Sequence, residues 1–150
     1  MSSIKSDDDS QLRRARFLGI IFLAYAIVLI FIVLLIPEVE LPASTGPIEV
    51  LSWLMVFLMP IEIVLIHLSY NHLGKKPELT NIMGPSVLMY TFASVPSVYA
   101  FVIGFVGSNL RPIAIPLGLV FTFIGFWLAL MYSSNLWEKI KTSNQETIIT

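Results

Sequence analysis

The sequence predicts an all-α membrane protein: an antiparallel bundle of four transmembrane helices with both termini cytoplasmic. Three observations lead there. Hydrophobic residues fill 56% of the 150 positions and charged residues only 13%, with a mean hydropathy of +0.82, far from the usage of soluble domains. The apolar residues gather into four runs, each close to the ~20 residues that cross a hydrocarbon core. The positive residues are also one-sided. With alternating spans, Lys5, Arg13, Arg14, Arg16, Lys75, Lys76, Lys139 and Lys141 share one face of the membrane, and Arg111 alone falls on the other. The positive-inside rule then puts both termini and the middle loop in the cytoplasm of a cell membrane.

Residues 1–16 form a Ser- and Asp-rich arm with too little apolar surface to order itself, so a disordered cytoplasmic segment is expected. The first span, Phe17–Ile36, is read as a retained anchor, because its run exceeds a signal-peptide core and no A-x-A-like cleavage site follows. Two near-motifs fail on spacing. Arg13-Arg14 has its Phe-Leu pair displaced from the twin-arginine pattern, and Leu41-Pro42-Ala43-Ser44-Thr45-Gly46 is one residue too long for a sorting signal. Pro37, Pro42, Gly46 and Pro47 make the first loop stiff, and Glu38, Glu40 and Glu49 leave it acidic. The second span, Ile48–Leu68, carries Pro60, which lacks an N–H and frees the carbonyl of Val56 from the helical ladder.

The third span (Ser86–Gly107) and the fourth (Pro112–Ser134) each carry a seam of small residues at steps of three and four. On the third it runs Tyr90, Ala93, Ser97, Ala100, Gly104 and Gly107, and on the fourth Ala114, Gly118, Thr122, Gly125, Ala129 and Tyr132. Small residues let helix backbones approach closely in lipid, so these helices are expected to pack tightly, either on each other or on a partner. Spans one and two are bulky on nearly every side, and Gly19 and Ala26 supply only a short small patch. Tyr132 and Trp137 suit the membrane interface, and residues 135–150 form a cytoplasmic tail.

Runs this long and apolar are helices, because lipid leaves no partner for open backbone groups, and the alternation of a barrel strand is missing. Without cysteine there is no disulfide, thiolate nucleophile, iron–sulfur cluster or Cys-ligated zinc. His67 and His72 lack matched carboxylates for a metal site and do not suit haem, so neither metal nor cofactor is expected. The scattered basic residues read as span anchors rather than a nucleic-acid surface. His67, His72, Lys75 and Lys76 are the only gathering that an enzyme could use, and a headgroup anchor accounts for it.

In the interior of the spans, Glu62 is the only formally charged side chain. An ionised carboxylate there costs several kcal/mol or more, so such a residue is neutral, partnered or functional. Glu62 lies eight residues from Tyr70, roughly 12 Å along the helix. Counting eight residues up the third span from Pro85 reaches Ala93 and Ser94, so Ser94 is the expected neighbour, with Tyr90 and Ser97 a turn away.

Gly74-Lys75-Lys76-Pro77-Glu78-Leu79 resembles the cytoplasmic loop of the proteolipid, or c, subunit of rotary ATP synthases. The stretch Phe92 to Phe105 is similar to that family's outgoing helix, in which the ion-carrying Glu stands five residues before a Tyr. The resemblance covers about residues 48–107 and implies a proton- or ion-binding hairpin. Ser94 occupies the position of the family's carboxylate, five residues before Tyr99, and cannot carry an ion by titrating. The second span also lacks the family's glycine repeat. Under the resemblance, Glu62 is the carboxyl moved across the hairpin, with Ser94 opposite; otherwise it is a neutral residue pinned beside a kink.

The expected function is that of a small, non-catalytic integral membrane subunit. It would pack into or stabilise a larger membrane complex, or form a homo-oligomer, with the lipid bilayer and other membrane subunits as partners. The alternative is a proteolipid-like oligomer that translocates protons or ions through Glu62.

Overall fold

The computed structural model describes residues 3–37, 46–73, 75 and 82–149. They form four helices: α1 (Ser3–Leu35), α2 (Gly46–Leu73), α3 (Met83–Phe105) and α4 (Arg111–Ile149). Each includes a segment long and apolar enough to cross a membrane. Glu38 and Glu40 of the acidic loop, and most of the 74–81 loop, lie outside the described residues.

Successive helices alternate in direction. Gly125 lies against Ala93 and Gly118 against Ala100, so α3 and α4 run antiparallel. Gly19 lies against Tyr90 and Gly104 against Val33, which makes α1 parallel to α3. Arg16 bonds to Ser134 at one end of the bundle and Arg111 reaches Val33 at the other, so α1 and α4 are antiparallel. α3 and α4 form a central pair in contact along their length. α1 and α2 flank this pair, each packing on both central helices and scarcely touching the other.

The small-residue seams explain the central pair. A Cβ on Gly118 would stand 2.5 Å from Ala100 Cβ and 3.0 Å from the Pro96 carbonyl oxygen, and one on Gly125 would stand 3.1 Å from Ala93 Cα. The seams of the third and fourth spans thus face each other within one chain. Gly104 belongs to a different contact, giving room for Val33 of α1. Gly107, read from sequence as the last seam residue, lies beyond α3 with φ of 70°. There it makes the left-handed turn that ends the helix, with Ser108 N–H donating back to the Ile103 carbonyl, the six-to-one bond of a Schellman turn.

Both terminal helices continue past the spans expected for them. Residues 1–16 were expected to be a disordered arm, yet α1 begins at Ser3. Ala15 is fully buried, and Leu12 packs on Ile82, Leu136, Trp137 and Ile140. Leu12 and Ala15 are separated by Arg13 and Arg14, so a three-residue apolar step is hidden inside a charged flank. Between these ends the core holds two main clusters, one around Tyr90, Ala93 and Phe126 and one around Met59, Ala100 and Ile103. Most side chains of α1 and α2 point outward, Phe31, Leu35, Val50 and Phe57 all being more than 60% exposed.

Candidate functional site

Glu62 sits on α2 two residues after Pro60, turned into the bundle and only 7% exposed. Its Oε1 accepts a hydrogen bond of 3.2 Å from the hydroxyl of Tyr99 on α3. Its Oε2 is enclosed and has no hydrogen-bond partner. One buried carboxyl oxygen is therefore satisfied and the other is not, an arrangement that costs on the order of 1–3 kcal/mol.

Ser94, the neighbour expected from depth counting, is buried but directs its hydroxyl along its own helix, donating to the Thr91 carbonyl at 2.8 Å. Ser97 does the same to the Ser94 carbonyl at 2.6 Å. The shift from Ser94 to Tyr99 has a geometric cause. Ile66 of α2 and Ala93 of α3 both lie against Gly125, so their levels match and Glu62, one turn away, is level with Ser97. Long helical side chains lean towards the N-terminus of their own helix. In an antiparallel pair they lean towards each other, and Glu62 and Tyr99 meet between their backbones. Tyr99 could have been found in the sequence, because it is the Tyr of the proteolipid-like stretch.

The seam residues are positioned by the same packing. Ala93, Ser97, Ala100, Gly104, Gly118, Thr122, Gly125 and Ala129 are all buried. They hold α3 close to its neighbours and so fix the level of Tyr99. Thr122 and Tyr90 each enclose a hydroxyl with no hydrogen-bond partner.

A second polar group lies nearer the end that carries the chain termini. His67 Nδ1 is 2.8 Å from the Tyr132 hydroxyl, and Asn71 Nδ2 is 2.9 Å from His67 Nε2. With the amide donating to Nε2, the imidazole proton sits on Nδ1 and is donated to Tyr132. Tyr132 stacks on Tyr70 at 4.4 Å, and Lys139 Nζ lies 4.9 Å above the Tyr70 ring. His67 is thus held by α4 rather than joined to His72 or Lys75. Lys76, with the other loop residues that carry the proteolipid resemblance (74 and 77–79), lies outside the described residues. Among the described residues no three His, Cys, Asp or Glu side chains are grouped to hold a metal ion.

Fold and site together define a class: a helical bundle with four membrane-length apolar helices and one half-satisfied buried acid. Comparisons with protein-family models, with curated proteins and with solved structures find no match for this chain.

Proposed function

We propose that the protein is a small, non-catalytic integral membrane subunit, multi-pass with both termini cytoplasmic, that packs into or stabilises a larger membrane complex or homo-oligomer. One observation carries the reading: the serine and threonine hydroxyls of the spans, Thr122 excepted, spend their described hydrogen bonds within the chain. Ser52 donates to Ile48, Thr91 to Val87, Ser94 and Ser97 to their own helix, and Ser86 pairs with Ser133 at 2.7 Å. Such bonds rigidify a scaffold and leave bulky apolar side chains as its outward chemistry. Purification in mild detergent followed by native mass spectrometry is the test. A stoichiometric partner or a defined homo-oligomer is expected, and a clean monomer under every mild condition counts against the reading.

The enclosed Oε2 of Glu62 favours a second reading, a proton- or ion-translocating oligomer. A carboxyl with one hydroxyl donor and one open oxygen is a place for a proton or small cation. Dicyclohexylcarbodiimide should then label Glu62 and fail to label Glu62→Gln, whereas an unreactive Glu62 in native membranes removes this reading.

A further inference from the structure

The part of α1 turned away from α3 and α4 carries a regular seam. It starts at the half-buried Leu18 and continues through Ile21, Tyr25, Val28, Ile32 and Leu35, all exposed. The steps alternate strictly between three and four residues. Lipid asks only that a face be apolar and sets no period on it. A repeat of 3.5 residues is instead what keeps one helix facing another along a left-handed crossing, the commonest packing of membrane helices.

One member of the seam is polar, and it sits deep. Val33 touches Gly104 and α1 runs parallel to α3, so Tyr25, two turns before Val33, is level with Pro96 near the middle of α3. That is far from the interfacial belts where Tyr is at home, yet the side chain is 54% exposed. Among the described residues its hydroxyl has no hydrogen bond. Residues 13–37, roughly 18 Å of helix to either side, are all described. Hydrocarbon is a costly place to leave such a group, and a neighbouring helix that bonds to it removes the cost.

We propose that this seam binds a second copy of the chain, with the two α1 helices parallel and in register about a two-fold axis along the membrane normal and the two Tyr25 hydroxyls bonded to each other. The interface gives a site to the homo-oligomer of the proposed function and rests on that reading. Copies inserted in the same orientation bring each seam residue to its own counterpart. A tyrosine hydroxyl is both donor and acceptor, so one Tyr25 donates and the other accepts, and the pair is self-complementary. A lone polar residue in an otherwise apolar seam also fixes register and copy number.

The full chain has no cysteine, so single cysteines in membranes test the geometry. Under oxidation with copper phenanthroline, Ile21→Cys and Val28→Cys should each give a disulfide-linked dimer. Ile20→Cys and Phe31→Cys, off the seam at positions 63% and 61% exposed, should stay largely monomeric. Tyr25→Phe keeps the ring and removes the hydroxyl. It should weaken self-association in detergent about threefold to tenfold, the size of one hydrogen bond between membrane helices, with an unchanged circular dichroism spectrum. Equal cross-linking on and off the seam, or association unaffected by Tyr25→Phe, overturns the proposal. A defined oligomer in native mass spectrometry without cross-linking at the seam overturns this interface alone, and so does a seam cysteine that captures a different protein. A monomer under every mild condition counts against the proposed function as well.

Discussion

The Tyr99 hydroxyl is the one donor to a carboxyl that otherwise faces the inside of the bundle. Tyr99→Phe should therefore lower stability by about 1–3 kcal/mol, the cost of leaving a buried polar atom unpaired. Replacing both partners by apolar groups removes that cost, so Tyr99→Phe combined with Glu62→Leu should recover most of the loss. Denaturation by SDS in mixed micelles reads both, and two losses that merely add would show that the groups are not coupled. Thr122 supplies a simpler case. Its hydroxyl is enclosed without a partner, so Thr122→Val, which keeps the shape, should leave stability unchanged or raise it by about 1 kcal/mol.

At the scale of elements, the α3–α4 contact depends on the absence of side chains at a few positions. Gly118→Ala would press a methyl against Ala100 Cβ and the Pro96 carbonyl oxygen, neither of which is the end of a flexible chain. A loss of about 1–3 kcal/mol is expected. Gly84 meets nothing within 4 Å, so Gly84→Ala should be neutral or stabilising by less than about 1 kcal/mol. Equal losses in the same SDS titration would mean that the central contact does not depend on close approach.

These elements were legible in the sequence to different depths. Apolar runs and small-residue steps are properties of single helices, so the four spans and both seams could be read directly. Which element a seam meets is a property of pairs: Gly104 shares a face with Ala100 in sequence but receives Val33 from α1. The partner of Glu62 was missed for the same reason. Depth counting needs the register between α2 and α3, and that register is set by the shared contact of Ile66 and Ala93 with Gly125 rather than by the nominal ends of the spans. Arg111 as a cap on α1 was equally hidden, because the two residues it joins to are 78 and 75 positions away.

For the whole molecule, alternating helix directions place the ends of the chain together and the α3–α4 turn at the opposite end. The chain has no cysteine, so single cysteines report cleanly. Thr142→Cys and Asn109→Cys should react with a membrane-impermeant maleimide from opposite sides of sealed vesicles, with Asn109→Cys accessible from outside the cell. Labelling of both from one side would contradict a four-span arrangement.

The near absence of contact between α1 and α2 also bears on biogenesis. α1 and α2 precede the second hairpin in the chain and have almost nothing to gain from each other, so in a membrane they would insert as independent segments. Assembly waits for the second hairpin, whose leading helix is the least apolar of the four and becomes the most enclosed. In a membrane α3 would thus enter with half of its span destined for protein, with α1 and α2 ahead of it in the chain and its most extensive partner, α4, still to follow.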